Sequence, residues 1–266
     1  MSQRTDFYWD EEPDPHASRR KAILKAHPEV GRLVGYEWRS KYICTFLLVL
    51  PQVWLSVVTA NLPWIPYLAV AYVVGATITQ ALFLAIHELS HNLFFKSSLH
   101  NRTFSMLVNL PIAIPYAISF RHFHLEHHKF QGVDGVDTDI PSRLEARMIR
   151  GPIAKTAWAS CQILTYALRP CLIRPQDFTI LVFANWVVQI AFDVLVVCHF
   201  GTGPLVYMIL CIFLAGGLHP CAGHFISEHY TYLKLGEPRN MQYSITYSTF
   251  TAHKCMIIND KRPSVF

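Results

Sequence analysis

Charge is scarce in this chain, and between Lys41 and Glu88 it is absent: no Asp, Glu, Lys or Arg falls between those two residues. Only 15% of the 266 residues are charged, against 52% hydrophobic, and mean hydropathy is +0.25. A soluble domain carries about a quarter charged residues, so an ordinary soluble globule is excluded. A membrane span needs roughly 20 apolar residues, so the uncharged stretch holds two. They are expected at about 43–61 and 67–86, turning at 61–66 with Trp64 at interface depth. Paired cysteines are also missing. Seven are scattered, at 44, 161, 171, 198, 211, 221 and 255, with no C-x-x-C among them. They read as reduced and structural, which excludes a disulfide framework. The first forty residues are highly charged and hold no apolar core, so no secretory signal is expected. The net charge of +5 suits a membrane protein with basic cytosolic loops, and nothing points to nucleic acid.

Two more spans are expected at about 180–200 and 205–217, joined by an uncharged Gly/Pro link. Asp193 interrupts the third span, and an ionisable group there faces the bundle interior. Residues 106–120 are apolar but short, and carry Pro111 and Pro115. They read as a re-entrant or membrane-edge segment, because proline disfavours a regular helix interior. Residues 131–141 are a Gly/Asp-rich turn region. Residues 154–168 form an amphipathic piece expected to lie along the membrane surface. The tight loops between spans lack Lys and Arg, while the head, the 121–178 region and the tail carry nearly all of them. The positive-inside rule then places both termini on the cytosolic side. The expected fold is an all-α integral membrane protein with about four transmembrane helices and a histidine-rich metal site at the cytosolic face. Its divisions are a polar head (1–40), a membrane domain (41–236) and a divergent, poorly ordered tail (237–266).

Against this apolar background stand two histidine clusters, His87-Glu88-Leu89-Ser90-His91 and His124-Leu125-Glu126-His127-His128. Residues four apart share a helix face, so His87 with His91, and His124 with His128, can each share a metal. His127 is adjacent at i+3. Five imidazoles exceed what one zinc ion needs. Imidazole suits iron as well as zinc, and an iron pair doing oxygen chemistry fits the number best. The first cluster also matches the zinc-protease pattern H-E-x-x-H, in which Glu88 activates water. A protease has no use for the second cluster. Glu88 and Glu126 are candidates to hold neighbouring imidazoles by hydrogen bonds. Asp134, Asp137 and Asp139 lack the remaining ligands of a calcium loop, and hydration of a turn is expected for them.

A third segment, from Gly217 to Tyr230, contains His219, His224 and His229. His224 and His229 are further candidate metal ligands, and His219 is a candidate supporting group. His16, His27, His100, His199 and His253 stand alone and read as surface or packing residues, and His122 is close enough to the second cluster to support it.

Together these segments resemble the membrane fatty-acyl desaturases and, within them, the sphingolipid delta-4 (dihydroceramide) desaturases. The resemblance runs from about residue 5 to 236. It is carried by the head (6–9 and 14–21), by 84–92 around the first cluster and by 109–112. It continues through the second cluster with 131–137, and through 217–220 with 223–230. It implies a centre of two iron ions, oxygen chemistry with electrons from cytochrome b5, and conversion of dihydroceramide to ceramide in the endoplasmic reticulum membrane. Hydroxylation at the same carbon by the same centre, a catalytically dead isoform with a binding role, and an intramembrane zinc protease remain the alternatives. One departure stands out. The family carries a third H-x-x-H-H downstream of residue 230, whereas residues 238–266 hold only His253. Low desaturase activity is therefore expected of the chain as written.

Overall fold

The computed structural model describes residues 7–10, 15–130, 133, 135–139, 141–223, 225 and 256–259. His224, Glu228, His229, His253 and Asp134 lie outside them, as does most of the predicted tail. The architecture is helical. One short parallel pair, β1 (Phe7–Asp10) with β2 (Met256–Asn259), is the exception among the described residues. Helix α1 (Pro15–Ala26) carries the basic part of the head.

Among the described residues, three helices are long and apolar enough to cross a membrane: α2 (Ser40–Val58), α3 (Trp64–Ser90) and α8 (Ile180–Phe200). Between the last two lie α4 (Ser98–Asn109), α5 (Ala117–Phe130), α6 (Arg143–Met148) and α7 (Gly151–Ile173). Large apolar side chains such as Phe46, Leu47, Trp54, Val73 and Leu195 stand exposed along the spans. Buried polar groups pair inside the bundle instead: Gln52 donates to the Thr79 hydroxyl at 3.0 Å, joining α2 to α3. The ladder of α2 widens into a π turn at Cys44–Val49, just before Pro51. Proline lacks an N–H and crowds the carbonyl four residues back, so the local backbone opens.

The apolar 106–120 segment, expected as re-entrant or membrane-edge, is a sharply bent helix pair. Helix α4 runs on through a tight turn at Leu110–Ile112, and α5 leaves at 113° to it. Ala113 adopts φ 58°, the left-handed conformation that closes the turn. Asn109 is fully buried and holds the elbow. Its amide donates to the Ile114 carbonyl and to Gln189 on α8, both at 2.6 Å. Its oxygen accepts from the Tyr116 and Ala117 N–H groups. Gln189 in turn donates to Asp193 at 2.9 Å, so the half-buried Asp193 continues a polar ladder inside the bundle.

The helix expected at 205–217 is present two residues earlier and is short for a span. Helix α9 (Gly203–Ala215) has 13 residues, about 20 Å of helix against ~30 Å of bilayer hydrocarbon. It ends where Gly216 and Gly217 press onto α7: a Cβ at Gly216 would lie 2.7 Å from Ile163, and one at Gly217 would lie 2.9 Å from the Ser160 carbonyl. If the bent pair α4–α5 is counted as one broken span, the described residues hold up to four spans. Near its start α9 packs tightly on α3, where Gly75 faces the buried Tyr207 and Cys211.

Candidate metal centre

The first histidine cluster occupies the last turn of α3. That helix ends at Ser90 with His91 as its C-cap, and Asn92 follows at φ 61°, the left-handed position that commonly terminates helices. The Ser90 hydroxyl donates to the His87 carbonyl at 2.6 Å, satisfying one of the end carbonyls. The second cluster lies on α5. His124 stacks on Phe120 at 4.7 Å between ring centroids, and Phe120 stacks on Tyr116 at 5.0 Å. This aromatic column fixes the ring plane of His124 from the elbow outward.

The two helices bring His87, His91, His124 and His128 together, with one ring nitrogen from each within 4.8 Å of all the others. The Nε2 of His124 lies 2.9 Å from His91 Nε2 and 3.0 Å from His128 Nε2. An imidazole nitrogen offers either one N–H or one lone pair. Only one of these two contacts can therefore be a hydrogen bond, and the other sets two nitrogens together with no proton to share. A cation among the nitrogens removes that conflict, so the donor set fits a metal that imidazole binds well. His91, one residue past the end of the span, is held below the ordinary imidazole range by burial and by Arg121, which favours the neutral ligating form.

The fifth imidazole, His127, is buried and is not one of the four. Its Nδ1 meets both carboxylate oxygens of Asp137, at 2.9 and 3.0 Å. That contact makes Nδ1 the donor and leaves the lone pair on Nε2. Asp139 sits 3.5 Å from His124 Nδ1, a longer contact that places negative charge behind that ring. Asp137 and Asp139 thus differ from the solvated turn expected of them: both side chains are buried, at 0% and 4% exposure. The reason lies in α7. Arg169 donates to the Thr138 carbonyl at 2.8 Å and forks onto Glu145 at 2.8 and 2.9 Å, pulling the Gly/Asp turn inward. Ser142 and Glu145 close a capping box on α6, which fixes the other end of the turn. Burial pushes the Glu145 carboxyl up, but Arg169 and Ser142 outweigh it and hold it at about 2.

The remaining candidates fall elsewhere. Glu88 is exposed and outside the group of four. Glu126 pairs with Arg174 at 3.0 Å and lies 3.7 Å from His122. His219 accepts from the Cys221 N–H at Nδ1 and therefore donates from Nε2 to the Tyr72 carbonyl at 3.1 Å. Tyr72 and His87 are fifteen residues apart on α3, about 20 Å of helix, so His219 staples the bundle away from the four imidazoles. The supporting carboxylates of the site were visible in the sequence only as a D-x-D pair ten residues beyond His127. Nothing local marked them as buried.

Fold and site together define a polytopic helical membrane protein with a four-imidazole cluster at the end of a span. Comparison with known proteins is specific. A sphingolipid delta4-desaturase family model matches residues 3–39, and the fatty acid desaturase family model matches residues 62–259. A sphingolipid delta(4)-desaturase of Schizosaccharomyces pombe is 48% identical over 226 residues, 84% of this chain and 62% of its own length. The protein named sphingolipid delta(4)-desaturase DES1 of Drosophila melanogaster is 43% identical over 249 residues, 93% of this chain and 77% of its own. One named sphingolipid delta(4)-desaturase DES1-like, from Oryza sativa, is 44% identical over 228 residues, 86% of this chain and 69% of its own. No solved structure matches. The chain belongs to the fatty acid desaturase family, in its sphingolipid delta(4)-desaturase branch.

Proposed function

We propose that this chain is an oxidoreductase that introduces the delta-4 double bond into the sphingoid chain of dihydroceramide, giving ceramide. The observation that carries this reading is the convergence of His87, His91, His124 and His128 at a membrane-span end in a chain of this family. The proposed cofactor is two iron ions. His87, His91, His124 and His128 suffice for one, and a second would draw on His127 and on His224 and His229 of the third segment. When bound, iron supplies the oxygen activation that removal of hydrogen from unactivated methylenes requires. The overall balance takes two hydrogens from the substrate, two electrons and two protons from outside, and reduces O2 to two waters. Cytochrome b5 is the proposed electron donor.

The chain's own residues have identifiable tasks. Asp137 fixes the tautomer of His127, presenting its Nε2 lone pair, and Asp139 places negative charge behind His124. The Phe120–Tyr116 stack keeps one wall of the site apolar. The proposed setting is the endoplasmic reticulum membrane, with the termini and the metal site on the cytosolic side.

The test is expression in cells lacking their own delta-4 desaturase. The chain is compared with a version joined to the C-terminal region of a relative, because residues 238–266 contribute only His253. Ceramide is expected from the joined version, with a lower yield from the chain itself, and His124→Ala should abolish both. Absence of delta-4 product from both versions would overturn the reading, and 4-hydroxylated product alone would reassign it to hydroxylation.

A further inference from the structure

The helix that carries His124 and His128 has a second working face. Ile118, Arg121, His122, Leu125 and Lys129 follow helical spacing on a different side of α5, and they line a cavity of about 500 Å³ together with Arg102 of α4 and the start of α8. Its electrostatics are incomplete. Arg102 and Arg121 are close enough for their charges to repel. Arg121 is held in place by donating to the Ser90 carbonyl. The Nε of Arg102 is buried without a hydrogen-bond partner. Of the two carboxylates lining the cavity, Glu126 pairs through Oε1 with Arg174 at 3.0 Å while its Oε2 has no hydrogen-bond partner, and Asp177 stands beside the start of α8. Arg102, Arg121 and Lys129 therefore outnumber the remaining negative charge. Two guanidiniums held side by side are costly without an anion between them, and guanidinium forks match phosphate oxygens.

The surroundings say where such an anion comes from. The cavity wall includes Leu181 and Val182, at the start of the span α8. Phe178, Ile180 and Phe183 flank them, exposed at 65%, 85% and 57%. Phe178 packs edge-on to both Phe183 and Trp186 at 6.2 Å, an aromatic group of the kind that marks the bilayer interface. An anion from free solution has no use for this apolar flank, whereas a lipid does: its phosphate enters the basic cavity and its chains lie along the flank.

We propose that this cavity binds the phosphate headgroup of an anionic membrane lipid, seated between Arg102 and Arg121 with Lys129 at its side. Basic pockets between membrane helices on the cytosolic side are suited to such headgroups. The neutral sphingolipid of the proposed reaction carries no phosphate, so this lipid is a second one. It ties α4, α5 and α8 together beside the metal site.

The test uses the full chain purified in neutral detergent and titrated with phosphatidic acid, phosphatidylserine, phosphatidylcholine or inorganic phosphate, with the thermal unfolding midpoint as readout. Phosphatidic acid is expected to raise the midpoint saturably, and phosphatidylcholine should not. Arg102→Gln should weaken the apparent affinity for phosphatidic acid roughly tenfold, as loss of one charge-assisted hydrogen-bonding group does. Lys129→Gln, an exposed substitution that should leave folding untouched, is expected to weaken it in the same direction. Equal stabilisation by phosphatidylcholine, or an affinity for phosphatidic acid left unchanged by both substitutions, would overturn the phosphate site. Stabilisation by inorganic phosphate as strong as by phosphatidic acid would overturn the lipid source. If phosphatidic acid has no effect while Arg102→Gln loses binding of an acidic protein partner, the cavity serves that partner and the proposal is wrong.

Discussion

His91 and His124 are thirty-three residues apart in sequence and meet Nε2 to Nε2 at 2.9 Å. The contact joins the end of a membrane span to the second limb of the bent helix pair. It depends on the elbow at Asn109, because the direction of α5 decides whether His124 and His128 reach α3. The buried hydrogen bonds of Asn109 to Gln189 and to the elbow backbone set that direction.

Asp137 should matter through His127 rather than through the chain's stability alone. Asp137→Asn keeps the side chain's size and removes the charge that fixes Nδ1–H. The expected result is a 10- to 100-fold loss of metal affinity or activity, typical of losing a carboxylate behind a ligating imidazole. Metal affinity of the purified variant checks it. Asp139→Asn should cost less, because its contact to His124 is longer, at 3.5 Å.

The Glu145–Arg169 pair should make the turn carrying Asp137 and Asp139 sensitive to acid. The Glu145 carboxyl lies at about 2 in the folded chain against 4.5 for the free group. A depressed carboxylate contributes stability above its unfolded value and loses it as pH falls through the folded one. The contribution, about 3 kcal/mol, should therefore be complete above pH 4.5 and fade toward pH 2. Unfolding in detergent across that window should show the loss, and Glu145→Gln should flatten this part of the profile. Arg169→Lys should not substitute, since the two contacts to Glu145 need the guanidinium fork.

Gly75 is set by close approach. A Cβ there would lie 2.5 Å from both Cys211 Sγ and Tyr207 Oη. Gly75→Ala should destabilise the chain by about 1–3 kcal/mol, the usual cost of overpacking. Adding Cys211→Ala and Tyr207→Phe removes the two closest atoms, leaving the Tyr207 Cζ position at 3.0 Å, and should recover part of the unfolding midpoint. A midpoint unchanged by Gly75→Ala would show that α3 and α9 do not pack as described.

Most of the fold is legible in the sequence because a bilayer imposes long apolar runs. The charge gap before Glu88 predicts two spans, and α2 and α3 occupy it. Pro111 and Pro115 predict the bend between α4 and α5. The four clustered imidazoles follow from i, i+4 spacing on two helices. The burial of Asp137 and Asp139 does not follow from spacing, because it depends on Arg169 reaching back across thirty-one residues to the Thr138 carbonyl. The extent of α9 is legible, since 13 residues are expected at 205–217 and 13 are found at Gly203–Ala215. The close approach of Gly216 to Ile163 and of Gly217 to Ser160 is not, because it depends on how α7 packs.

The most direct test of the metal centre is metal analysis of the purified chain beside three variants: His91→Ala, His124→Ala and His122→Ala. The first two remove one imidazole from each half of the cluster, and the third removes a nearby imidazole outside it. The account predicts bound iron, strongly reduced in His91→Ala and in His124→Ala and retained in His122→Ala. Metal content that is unchanged by both His91→Ala and His124→Ala, or stoichiometric zinc accompanied by peptidase activity, would contradict it.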